Sequence, residues 1–87
     1  MLKIQRVENG AVIFSLIGQL DLEKIAEIKE LFTSEPKGSH LVLDLKKLTL
    51  VDWEAVIFLA ECEAGGIELK NCPAYIREWI RRERGGS

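Results

Sequence analysis

Apolar and polar residues alternate from Leu2 to Val7, the two-residue period of a strand with one buried face. Glu8-Asn9-Gly10 follows, and because Asn and Gly tolerate positive φ, the stretch predicts a tight hairpin. A second strand, Ala11 to Ile17, then runs antiparallel to the first. Val12, Phe14 and Leu16 share one of its faces, with Ala11, Ile13, Ser15 and Ile17 on the other. Gly18 ends it. After Asp21 the period changes: Leu22, Ile25, Ile28 and Phe32 recur at helical spacing, with Glu23, Lys24, Glu27 and Glu30 on the other faces. Asp21 is placed to cap that helix, and Ser34-Glu-Pro-Lys-Gly38 to break it.

A third strand follows, with Leu41, Leu43 and Leu45 pointing one way and Val42 and Asp44 the other. A short loop leads to Asp52, the cap of a second helix over Trp53 to Ala64. Ala55, Val56, Phe58, Leu59, Ala60 and Cys62 form its sheet-facing side; Glu54 and Glu61 lie opposite, with Ile57 between them and Trp53 close by. Gly65-Gly66 precede a fourth strand, Ile67 to Lys70. Asn71-Cys72-Pro73 then starts a third helix, Pro being tolerated in a first turn. Tyr75, Ile76, Trp79 and Ile80 are its apolar stripe, and Arg77, Arg81, Arg82 and Arg84 its solvated side.

The order is β-β-α-β-α-β-α. Strands buried on both faces seldom alternate as these do, so the expected fold is an α/β two-layer sandwich: a four-stranded mixed sheet with helices on one face. Right-handed βαβ links keep successive helices on one side. With 87 residues, residues 1–84 make one domain, and Gly85-Gly86-Ser87 read as an appended tail.

Composition narrows the function. Charged residues make up 30% of the chain, yet the net charge is only −2. That balance gives no general reason to bind nucleic acid or an anionic membrane. No apolar run approaches the ~20 residues of a membrane span, and Leu2-Lys-Ile-Gln-Arg6 lacks the apolar core of a signal peptide. Two cysteines in unlike contexts suit a reduced compartment. A cytoplasmic location is expected.

The corner where the third strand passes into the second helix is the expected working surface, as strand ends commonly are in α/β domains. Its candidate partner-binding residues are Thr49, Asp52, Trp53, Glu54 and Ile57, an apolar pair rimmed by acids. Trp53 is either exposed there or folded back over the strand-end loop. No catalytic residue, metal site or cofactor is expected. His40 is the only histidine, Asp44 and Asp52 are explained as loop-bracing and capping groups, and no glycine-rich phosphate loop precedes a helix. Cys62 belongs to the core. Cys72, beside a helix N-terminus, is the one candidate for thiol chemistry.

Three stretches, Gly18-Gln-Leu-Asp21, Val42-Leu-Asp-Leu45 and Leu48-Thr-Leu-Val-Asp52, occur in an order and spacing that resemble a STAS domain over residues 2 to 70. That family includes bacterial anti-sigma factor antagonists and the cytoplasmic tails of sulfate-type anion transporters. The resemblance implies a non-enzymatic signalling module whose partner is an anti-sigma-type kinase or another regulatory protein. Antagonists of the family carry Ser-Ser-Gly or similar after the Asp, and the first Ser is phosphorylated. Trp53, Glu54 and Ala55 occupy those positions here, so Trp53 stands where the phosphoserine would be and no hydroxyl is available. Thr49 and Ser39 are the alternative phosphosites. A typical member carries a further strand and helix after the third helix; without that strand, a sheet edge open to a homodimer contact or a larger partner is expected. Rival readings are a self-associating structural or transporter-complex subunit, and a thiol-redox function at Cys72.

Overall fold

The computed structural model describes residues 2–85. Its elements are β1 (Leu2–Glu8), β2 (Val12–Leu20), α1 (Leu22–Thr33), β3 (Leu41–Asp44), β4 (Leu48–Val51), α2 (Trp53–Ala64), β5 (Glu68–Lys70) and α3 (Ala74–Gly85). The expected α/β two-layer class holds, with one more strand than the pattern predicted. The helix α3 takes in Gly85; Gly86 and Ser87 lie outside the described residues.

β2 is the organising strand. β1 pairs with it antiparallel from Leu2↔Gly18 to Glu8↔Val12. On its other side it is paired twice, both times in parallel. β3 matches Val12–Ser15, and β4 matches Gly18–Leu20. β5 then adds in parallel beyond β3. β3 and β4 are thus one interrupted strand. Leu45 and Leu48 are both buried, yet residues three apart face opposite ways in a regular strand. The chain reconciles the two by turning at Lys46-Lys47, where Leu48 N–H donates to the Leu45 carbonyl at 3.1 Å. β2 follows with a register shift at Gly18, whose φ of 108° is open to glycine. The strand therefore passes through Gly18 to Leu20 where the sequence pattern ends it.

All three helices pack on one face. Val12, Phe14, Leu16 and Leu20 of β2 meet Leu43 and Leu45, Ile25 and Ile28 of α1, Val56 and Leu59 of α2, and Ile76 and Ile80 of α3 in one apolar cluster. Each fully buried aliphatic or aromatic side chain contributes about 1.5–3 kcal/mol relative to exposure. Asp21 and Asp52 cap α1 and α2 as predicted, accepting from the amides of Lys24 at 3.1 Å and Ala55 at 2.9 Å.

Three helix faces differ from the pattern. Leu22 is exposed instead of joining the α1 stripe. The stripe of α3 splits, with Ile76 and Ile80 buried while Tyr75 and Trp79 stay partly exposed. Arg77 is only partly solvated, forked onto Glu63 of α2 at 2.9 and 2.7 Å.

The opposite sheet face is partly open, as expected. Register lines up Gln5, Ser15, Asp44 and Lys70 as one polar row across β1, β2, β3 and β5. Next to it Val42 is buried, between Ile13 and Glu68.

Candidate functional site

The parallel pairing Leu20↔Val51 ends β2 and β4 side by side. Each strand is followed by an aspartate cap and a helix. The starts of α1 and α2 are therefore neighbours on one rim of the sheet. Leu22, at the first position of α1, is 63% exposed, and Leu50, near the end of β4, is 57% exposed. Trp53, at the first position of α2, is 50% exposed. Three of the large apolar side chains that this domain leaves in water thus share one rim. Leaving one such residue in water is ordinary, whereas several at one end of the sheet make a candidate docking surface.

Of the two placements expected for Trp53, the exposed one holds, with half of the side chain in water. Its ring meets Trp79 of α3 edge-on, with centroids 6.2 Å apart and planes at 67°. This is the geometry favoured by the aromatic quadrupole. Trp79 is one helical turn beyond Tyr75, so the exposed aromatic surface continues from α2 onto α3. The sequence pattern missed this extension because Tyr75 and Trp79 match the spacing of a buried stripe. The signal was the stripe's width: α3 needs only Ile76 and Ile80 to seal its contact.

The other predicted residues have distinct places. Thr49 is exposed, and its hydroxyl donates to the Gly18 carbonyl at 2.9 Å, bracing β4 against the β2 irregularity. Asp52 is occupied as the α2 cap. Glu54 is exposed in the first turn of α2, beside Asp52 and across the rim from Glu23 in the first turn of α1. Ile57, expected to be exposed, is half-buried and adds little to the rim. The rim is therefore apolar at its centre and acidic at its border.

Chemistry elsewhere is sparse. Burial pushes the Cys72 thiol up from its ordinary value, against the lowering influence of Arg77. A raised thiol is the reverse of what a nucleophilic or redox cysteine requires. Cys62, buried on α2, is pushed up to about 12, mainly by desolvation. His40 contacts Glu68 across the sheet at 3.3 Å. Ser39 donates to the Pro36 carbonyl at 2.7 Å. No group of three potential metal ligands occurs among the described residues, and none of their helices is long and apolar enough to cross a membrane.

Where β3 breaks into β4, the open face holds a depression of about 250 Å³ lined by Gln5, Ser15, Ile17, Asp44, Lys46 and Lys47. Asp44 is committed within it, accepting from the Lys46 amide at 3.0 Å and the Asn71 side chain at 3.1 Å.

No known family model matches the chain, and no curated protein matches it.

Proposed function

We propose that this protein is a STAS-like regulatory module that works by binding another protein through the rim formed by Leu22, Leu50, Trp53 and Trp79. The observation that carries the reading is the exposure of those apolar side chains on one rim, at the ends of β2 and β4 and against α3. A partner would cover them, with Arg or Lys at its own border to meet Glu23, Asp52 and Glu54. An anti-sigma-type kinase in the cytoplasm is the partner class that the resemblance implies. At the position where antagonists carry their phosphoserine, Trp53 supplies a fixed, aromatic contact that no kinase can modify. The module is accordingly constitutive at that point, and its control lies in the partner or in protein level. Enzymatic chemistry is no part of this reading.

The test begins with capture from the source cell on immobilised wild-type protein and on Trp53→Ala, with circular dichroism confirming that the variant is folded. A protein retained by wild type and lost by the variant is then purified, and its affinity measured by calorimetry. Loss of one central aromatic anchor should cost about 2 kcal/mol or more of binding free energy. Equal affinity for Trp53→Ala, Leu50→Ala and wild type would place the interface elsewhere.

A further inference from the structure

A second surface, independent of the rim, lies along β1. The described strands run β1-β2-β3-β5, with β4 on β2, so β1 is an edge strand paired on one side only. At seven residues it far exceeds β5, which has three. Alternate residues of an edge strand point their N–H and C=O groups away from the sheet, a template for one more strand. Beside this edge, on the helix-layer side, runs a groove of about 430 Å³ lined by Leu2, Ile4, Glu27, Glu30, Leu31 and Ser34. Its floor is apolar and its α1 wall is acidic. Beyond Ile4, on the same face of β1, the Arg6 guanidinium closes on Glu35 through two bonds of 2.9 Å.

We propose that this edge and groove bind an extended segment of a different protein, one that adds a strand to β1 and carries apolar and basic side chains on the same face. The two features act together, as in strand addition generally. The β1 backbone supplies main-chain hydrogen bonds, and the groove selects alternate side chains. Apolar residues of the added strand settle toward Leu2, Ile4 and Leu31. A Lys or Arg two positions away faces Glu27 and Glu30. Among the described residues Glu27 is held only by an exposed contact to Lys24 at 3.6 Å, a pairing weak enough to exchange for an incoming cation.

The acidic wall also decides against a second copy of this chain. A two-fold pairing of β1 with another β1 would bring α1 beside α1, confronting Glu27 and Glu30 with their own counterparts. Like charges placed opposite one another oppose association.

The probe is the blocked heptapeptide Arg-Thr-Val-Thr-Val-Thr-Arg, whose Arg and Val side chains share one face in either strand direction. Its control replaces both Arg by Glu. Fluorescence anisotropy with the full chain should show the Arg peptide binding at least about tenfold more tightly than the Glu peptide, a difference of ~1.4 kcal/mol. Amide hydrogen exchange should slow within residues 2–8. The double variant Glu27→Lys with Glu30→Lys should invert the peptide preference, while Trp53→Ala leaves it unchanged. The proposal is overturned by failure of both peptides to bind, by equal binding, by a preference that survives the charge swap, or by protection confined to other strands. A peptide-resistant dimer in sedimentation, with exchange slowed in β1, would overturn it in favour of a second copy.

Discussion

At the scale of single residues, a salt bridge between distant parts of the chain is the clearest source of pH dependence. Arg6 on β1 and Glu35, just after α1, lie 29 positions apart and meet in a two-pronged bond. The hydrogen bonds from Arg6 hold the Glu35 carboxyl below its ordinary value, in spite of opposing desolvation. A carboxyl depressed in the folded state binds fewer protons than in the unfolded chain. Its stabilisation is therefore complete above the unfolded value of about 4.3 and fades as pH falls through the lower folded value. Glu35→Gln should melt below wild type near neutral pH, and the gap should close as pH falls through the lowered folded value. Thermal melts of both proteins across that range check the sign. A gap that is unchanged in acid would mean that the contact acts through shape and not through charge.

At the scale of elements, α2 and α3 are joined at two points of different kind: the Arg77–Glu63 fork and the Trp53–Trp79 edge contact. Neither was legible in the sequence, and the reason is physical. Helical spacing reports which residues can share a face, but not how much of that face the neighbour covers. Tyr75 and Trp79 fall in the right period and stay exposed, while Arg77 falls outside it and is drawn in by Glu63. Strand and helix caps, by contrast, are local chemistry, and Asp21 and Asp52 occupy the predicted cap positions. The Trp53–Trp79 contact should be measurable on its own. A double-mutant cycle of Trp53→Ala and Trp79→Ala, read by urea denaturation, should give a coupling of about 0.5–1.5 kcal/mol. A coupling indistinguishable from zero would mean that the two rings are merely adjacent, and would leave Trp53 free to rearrange on a partner.

At the scale of the whole molecule, the alternation of the first two strands and the periods of the helices were enough to give the two-layer α/β class. What they could not give was the β3–β4 break, since Leu48-Thr-Leu-Val51 is too short and too irregular to announce a strand. Its pairing depends on the end of β2, thirty residues earlier in the chain. The exposed corner around Thr49, Asp52 and Trp53 was legible as a strand-to-helix junction; its continuation onto Trp79 and its neighbour Leu22 required the third dimension.

The dependence of every layer on β2 makes a final prediction at this scale. β2 pairs with β1, β3 and β4 and supplies Val12, Phe14, Leu16 and Leu20 to the core that receives all three helices. No described element has a core of its own, so the domain should unfold as one unit. Both tryptophans lie on the α2–α3 side, so their fluorescence reports that side alone, while far-ultraviolet circular dichroism reports all helices and strands. The two denaturation curves should coincide. Leu16→Ala, which opens space beneath a fully buried position, should shift both to lower denaturant together, at a cost of about 2–5 kcal/mol. For a domain of this size that is a large share of a total near 5–15 kcal/mol, and both curves should move by the same amount. A fluorescence curve left in place while the dichroism curve moves would show that α2 and α3 hold together without β2, and that the rim rests on a separate folding unit.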